Sequence, residues 1–268
     1  KNIAKGFEDN WNYYCGLGAL DGKHIGVQAF HNSGSHFYSY KHSFSIILLA
    51  VSDANYKVLF CDIGACGSEN DAAIFNSSSL KMRLDSDQLG LPVNPPDKIQ
   101  YHFLGDDIFG LSLHLMKPFP RTNYEALTHK QRIFNYRFSR GRRVVENCFG
   151  IMASKFRVLR KPITLRHDHA VLVVRAIVTL HNHLLGSGQT AGYLDGFDVD
   201  HEDENHATIP GLWRQERNGN FVGLQRLAGN RSGSDPARRQ REALADFFIS
   251  NEGRVPWQDA LVYNTGQI

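Results

Sequence analysis

Phe44-Ser-Ile-Ile-Leu-Leu-Ala-Val51 is the longest apolar stretch of the chain, and its reading decides the fold. Eight residues are too few to span a bilayer, and a continuous run of this length suits a central β-strand covered on both faces. Before it, residues 19–29 alternate through Ile25, Val27 and Ala29, the pattern of a half-buried strand. After it, Ser52-Asp-Ala-Asn-Tyr56 carries turn chemistry, and Lys57 to Ile63 resumes with Val58, Phe60 and Ile63 before Gly64 stops it. Three strands in hairpin succession follow.

From Ser68 the period changes. Ala72, Ala73, Phe75, Leu80, Met82 and Leu84 predict a helix opened by the capping candidates Ser68, Asn70 and Asp71. Pro92, Pro95 and Pro96 impose a loop, and Tyr101 to Leu104 is a short apolar strand running into Gly105-Asp106-Asp107. Gln131 to Phe156 reads as a long helix whose Val145, Cys148, Phe149, Met152 and Phe156 form one core-facing stripe. A further apolar helix runs from about His169 to Leu185. Residues 195–204 hold six acids and no Lys or Arg, the composition of a solvated acidic linker. Asp235 to Ser250 predicts an amphipathic helix with Leu244, Phe247 and Phe248 as its apolar positions.

The 268 residues give length for one large domain or one domain with appendages, and 42% hydrophobic with 21% charged residues is an ordinary globular balance. The four cysteines, Cys15, Cys61, Cys66 and Cys148, form no CxxC pair, so reduced thiols in an intracellular protein are expected and a structural zinc site is not. The chain opens on Lys1 rather than Met, without a signal-peptide core, as a fragment or processed product would.

Four acids stand out, each with a plain structural reading beside the chemical one. Asp21 shares strand parity with Ile25 and Val27, which aims a carboxylate at the core; a metal ion, a basic partner or strand-end backbone bonds would relieve that. Asp106 stands where an apolar strand ends in glycine, positioned to reach a neighbouring strand's carboxylate or only to close a turn, and Asp107 beside it leaves the register open. Asp71 suits a helix dipole as well as a ligand set. Glu146 follows Arg137, Arg140, Arg142 and Arg143 along the long helix, and its spacing from Arg142 and Arg143 also fits ordinary salt bridges.

Taken together, carboxylates on separate elements meet a known chemical need. They can hold two divalent cations about 4 Å apart, one activating water and one stabilising the leaving oxygen of a phosphodiester. The net charge of +3 conceals the basic surroundings such a substrate requires: residues 117–175 carry 14 basic against three acidic residues, a local +11.

These residues fall into motifs that resemble a family. Gly18-Ala-Leu-Asp21-Gly22-Lys-His-Ile25, Tyr40-Lys41-His42-Ser43-Phe44-Ser45, Gly67-Ser68-Glu69-Asn70-Asp71, Leu104-Gly105-Asp106, Arg142-Arg143-Val-Val145-Glu146-Asn-Cys-Phe149-Gly150 and Leu180-His181-Asn182 together resemble the nuclease domain of PIF/Harbinger-type DDE transposases and their domesticated relatives. The likeness covers about residues 15–186. It implies an α/β, RNase H-like fold: a mixed five-stranded sheet with its first three strands antiparallel, helices on both faces and a C-terminal extension. It divides the chain into a remnant at 1–14, the endonuclease domain at 15–186, an acidic linker and loop at 187–234 and a helical extension at 235–268.

Carried over by motif, Asp21, Asp106 and Glu146 become the catalytic, metal-binding carboxylates, with Asp71 as a fourth metal ligand and Mg²⁺ or Mn²⁺ as the cofactor. Lys41, Arg142 and Arg143 are the candidate DNA phosphate contacts. The resemblance also implies a nuclear protein that binds DNA, a Myb-like DNA-binding partner protein and a homo-oligomer, with no membrane association. The chain departs from the family pattern at Cys66, usually Pro, and at Asp107, usually a small residue, and it lacks the family's N-terminal helix-turn-helix region. Two rival readings stand beside this one: a catalytically silent, domesticated DNA-binding or scaffold protein, and an HNH-like zinc nuclease built on His181-Asn182-His183. The apolar neighbours Leu180, Leu184 and Leu185 make that tripeptide a packing element.

Overall fold

The computed structural model describes residues 1–69, 71–95, 98–120, 126–187, 190–196, 198–215, 220–223 and 233–264. Helix α1 (Asn2–Trp11) leads into strands β1 (Gly16–Gly26), β2 (Ser45–Ser52) and β3 (Val58–Cys66), the expected antiparallel succession. Every residue of β2 is buried, because the sheet is covered on both faces; this is why its sequence is a continuous apolar run rather than an alternating one.

Helices α2 (Asp71–Ser77) and α3 (Ser79–Asp85) follow, then β4 (His102–Leu104) and β5 (Leu115–Met116). The single helix expected across residues 72–84 is two, because the Ser78 hydroxyl accepts the Lys81 N–H at 3.2 Å and starts a new helix. The long helix is α4 (His129–Lys155), at whose start the Gln131 side chain accepts the Thr128 N–H at 3.1 Å. A 3₁₀ turn (Arg157–Arg160) joins it to α5 (His167–Gly186). The remaining elements are α6 (Thr190–Tyr193), the hairpin β6 (His201–Glu202) and β7 (Thr208–Ile209), α7 (Leu212–Gln215), β8 (Phe221–Gly223), α8 (Asp235–Ile249) and α9 (Gln258–Asn264).

The main sheet runs β3-β2-β1-β4-β5, with β4 parallel to β1 and β5 parallel to β4. A sixth strand, β8, pairs antiparallel with Lys23–Ile25 of β1, so the expected count of five is corrected to six. Three residues with one large apolar side chain, Phe221, carry no readable period, which is why the extra strand is invisible in sequence.

One face of the sheet packs against α4, α5 and α8 through Ala19, Ile25, Val145, Cys148, Phe149, Val174 and Phe248. The other face packs against α2 and α3 through Leu20, Leu49, Ile74, Phe75 and Leu80. The predicted α4 stripe holds: Val145, Cys148, Phe149 and Met152 are buried and Phe156 packs partly buried beside them. Among the described residues no helix is long and apolar enough to cross a membrane, and all four cysteines are free thiols.

Candidate active site

Three elements bring carboxylates to one place. Asp21 lies opposite Ala50 within β1, on the face toward α4. Because β4 pairs parallel with β1, with Leu104 opposite Ala19, the chain leaves β4 alongside Asp21 and delivers Asp106 there. Gly105 donates its N–H to the Met116 carbonyl at 2.9 Å, and Asp106 Oδ1 accepts the Asp107 N–H at 2.7 Å. Asp107 is exposed, whereas Asp106 is half-buried and its charge acts on Asp21 and Arg142. Glu146 approaches from α4, whose Gly141 admits the Leu104 side chain; a Cβ there would stand 2.7 Å from Leu104 Cδ2.

The three acids share one counterion. Arg142 Nη2 donates to Glu146 Oε1, Arg142 Nη1 stands 4.0 Å from Asp21 Oδ1, and Asp106 adds to the field that keeps the buried guanidinium charged. Lys23 Nζ lies 3.6 Å from Asp21 Oδ2 and 5.5 Å from the centre of the Phe149 ring. Burial pushes the Asp21 carboxyl above its ordinary pKa; Lys23 and Arg142 oppose this only in part, while Glu146 and Asp106 reinforce it. Burial pushes Glu146 up too, but Arg142, Arg214 and Lys23 outweigh it and hold this carboxyl below its ordinary value. The difference is contact: Glu146 accepts hydrogen bonds from two guanidiniums, whereas the cations beside Asp21 stand beyond hydrogen-bond distance.

The donor set fits a hard divalent cation, since it consists of carboxylate oxygens without thiolate or imidazole. Asp21 in particular is a desolvated carboxylate whose nearest cation, Lys23, stands at 3.6 Å. Among the described residues no trio of His, Cys, Asp or Glu stands close enough together to hold an ion in this conformation; Arg142 serves all three acids instead. Asp71 opens α2, and its side chain lies outside the described residues.

The basic stretch divides into two populations. Arg137 donates to the carbonyls of Asn12 and Gly253 and to Gln258 Oε1, and its guanidinium covers the Phe248 ring at 4.6 Å. Arg140 makes a fork onto Glu202 at 2.7 and 2.9 Å, and Arg143 reaches Glu202 at 3.5 Å and Thr208 Oγ1 at 2.6 Å. These side chains tie the N-terminal helix, the β6–β7 hairpin and the C-terminal helices to α4. Arg157, Lys161, Arg166 and Arg175 are exposed, whereas Arg121 and Glu125 lie outside the described residues. Lys41 is half-buried beside Tyr40; burial and the nearby Lys23 both lower its pKa.

The reading of residues 195–204 as a solvated acidic run is corrected. Asp198 pairs with Lys155 at 2.7 Å, Glu202 with Arg140, and Asp200, 2% exposed, with Arg214 at 2.6 Å. Their basic partners lie 43 to 62 residues away on α4 or, for Asp200, 14 residues on in α7, so local composition does not reveal them. Lys23 and Arg214 are the site cations that sequence reasoning missed; for Lys23 the signal was its parity with Asp21 on one strand. His181 is fully buried, its ring nitrogens bonding Tyr193 Oη and the Tyr56 carbonyl at 2.8 Å, and Asn182 grips both backbone groups of Val58 at 2.8 Å. His181 and Asn182 are thus packing elements, and His183 is exposed.

A mixed sheet flanked by helices, with acids presented from β1, from the end of β4 and from a helix laid across them, defines an α/β domain. Residues 20–182, more than half the chain, match the family described as DDE superfamily endonuclease, and the chain belongs to that family. Comparison with curated proteins and with solved structures finds no match.

Proposed function

We propose that this chain is the nuclease domain of a PIF/Harbinger-type transposase, RNase H-like in fold, which cleaves DNA phosphodiesters at transposon ends with Asp21, Asp106 and Glu146 as its catalytic carboxylates. The observation that carries this reading is the convergence of these three acids, from three separate elements, on the single guanidinium of Arg142. The strand order β3-β2-β1-β4-β5, antiparallel through the first three strands and parallel beyond, supports the fold assignment.

Asp21, Asp106 and Glu146 would hold Mg²⁺ or Mn²⁺, with Asp71 proposed as a fourth ligand. Divalent cations bound there supply an activated water and stabilisation of the leaving 3′ oxygen. The protein contributes the rest. The dry wall around Asp21 strengthens every charge interaction at the site, and Lys41 with Lys23 offers cations to the phosphate backbone beside Asp21. Arg142 and Arg143 are proposed as further phosphate contacts; for Arg142 this requires that it leave the acids, and for Arg143 that it leave Glu202 and Thr208. Residues 15–186 are the proposed endonuclease core; 187–234, assigned as linker and loop, add β8 to its sheet and Arg214 to its acids, and 235–268 are the proposed extension. A nuclear location, a Myb-like partner protein and a homo-oligomer belong to the same reading.

The test is cleavage of a supercoiled plasmid or an end-labelled duplex in Mn²⁺. Wild type should cut, and Asp21→Asn, Asp106→Asn and Glu146→Gln should each bind DNA without cutting. Cutting that persists in chelator, or in all three variants, overturns the assignment. Wild-type protein that binds DNA and Mn²⁺ but never cuts is a silent, domesticated derivative.

A further inference from the structure

The site receives a residue from outside the family-matched region. Arg214, on α7, places Nη2 3.0 Å from Glu146 Oε2 and simultaneously 2.6 Å from Asp200 Oδ2, while its Nε donates to both Asp200 oxygens at 2.8 and 3.0 Å. Asp200 is itself fixed: its side chain is 1% exposed, Oδ1 accepts the Gly211 N–H at 2.9 Å, and its own N–H donates to Asn147 Oδ1 at 3.1 Å. Asn147, the neighbour of Glu146 and fully buried, also accepts the Trp213 indole N–H at 3.0 Å. Trp213 lies flat on α4 at Gly150, one turn beyond Glu146, where a Cβ would stand 2.3 Å from the indole. Its ring carries the Arg214 guanidinium at 4.3 Å. Two independent attachments, the Trp213 seat and the Asp200 fork, therefore hold one guanidinium against one oxygen of Glu146.

We propose that Arg214 is a positioning residue for Glu146. Arg142 and Arg214 pull on opposite oxygens of the same carboxylate. Because the buried Asp200 anchors Arg214, Glu146 keeps one oxygen on Arg214 and the other on Arg142, whose second nitrogen faces Asp21. Without Arg214, Arg142, one turn away on the same helix, takes both oxygens as a fork and withdraws Glu146 from the cluster. Without the Asp200 charge, Arg214 collapses onto Glu146 with the same result. The inference rests on the cation-binding reading of the three acids.

The experiment measures Mn²⁺ binding to chelator-stripped protein, without DNA, by calorimetry or by the free-ion paramagnetic signal. Positioning predicts a Kd at least fivefold weaker in Arg214→Gln, in Arg214→Lys, whose ammonium cannot form the fork, and in Asp200→Asn. Simple charge effects predict otherwise: removing a cation in Arg214→Gln would tighten Mn²⁺, Arg214→Lys would match wild type, and only Asp200→Asn would weaken binding. Tighter binding in Arg214→Gln, or wild-type binding in Arg214→Lys, overturns the proposal. Arg214 is over one-third exposed, so both of its variants should keep the fold by circular dichroism and decide the matter if Asp200→Asn unfolds. Wild-type protein that binds no Mn²⁺ overturns the carboxylate reading and this inference together, whereas wild-type binding that the Arg214 variants leave unchanged overturns this inference alone.

Discussion

Gly150→Ala tests how the segment after α5 is attached to the site. In an open helix interior the substitution should stabilise by about 1 kcal/mol, because alanine has the better helix propensity. Here the new methyl would meet Trp213 Cδ2 at 2.3 Å, Cγ at 2.5 Å and Cε2 at 2.7 Å, so the indole must leave its seat. Forcing a methyl into a packed contact costs about 1–3 kcal/mol. The indole N–H bond to Asn147 Oδ1 at 3.0 Å goes with it, for about 1 kcal/mol more. The clash outweighs the propensity gain, and the net effect is a loss of about 2 kcal/mol, a fall in Tm of roughly 4–8 °C for a chain of this size. Urea and thermal denaturation of wild type, Gly150→Ala, Trp213→Ala and the double variant complete the cycle. With Trp213 gone, Gly150→Ala should turn stabilising by up to about 1 kcal/mol. A Gly150→Ala protein more stable than wild type, or one whose deficit is the same without Trp213, would show that the indole does not pack on Gly150.

Opposite pH behaviour is expected at two of the acids. Asp21 has its folded pKa raised above 3.8, so its ionisation works against folding: stability is lost as pH rises through the folded value, and Asp21→Asn should be the more stable protein at pH 7 in chelator, with the gap closing as pH falls below 3.8. Glu146 has its folded pKa held below 4.5, so its stabilisation is present above that value and is lost as pH falls through the folded one. Glu146→Gln should therefore be the less stable protein at pH 7 and approach wild type in acid; urea midpoints across this range check both signs. Arg137→Ala should cost about 3 kcal/mol or more by stranding buried carbonyls and uncovering Phe248, while leaving DNA affinity unchanged. Lys41→Ala should do the reverse, keeping Tm and lowering the salt slope of DNA binding by about 1, as read from anisotropy titrations at several salt concentrations.

What the sequence discloses tracks how local the physics is. β2 was legible because eight consecutive buried positions leave an unbroken apolar run, and the α4 stripe because one face of a helix meets one sheet. Asp21 was legible because a carboxylate at a core-facing strand position needs a reason. Asp106 was legible only up to its neighbour: the parallel pairing of β4 with β1 separates it from Asp107, and pairing is not written in either segment alone. The split at Ser78 turns on one hydroxyl, which a periodic apolar pattern runs straight across. The basic stretch misled for the same reason that Asp200 and Glu202 did. Arg137, Arg140 and Arg143 lie inward against partners distant in sequence while Arg157, Lys161, Arg166 and Arg175 are exposed, so only part of the +11 is surface charge. Arg214 had one sequence trace, Gly150, a glycine in a helix interior that costs about 1 kcal/mol unless something packs against it.

On the proposed function, Asp21, Asp106 and Glu146 form one divalent-cation site whose resting counterion is Arg142. Anomalous scattering from crystals soaked in Mn²⁺ tests it most directly. Mn²⁺ density should be bonded to oxygens of all three carboxylates, with the Arg142 guanidinium moved off Glu146. Mn²⁺ bound elsewhere, or Arg142 still joined to Glu146 with the three acids bare in saturating Mn²⁺, would contradict it.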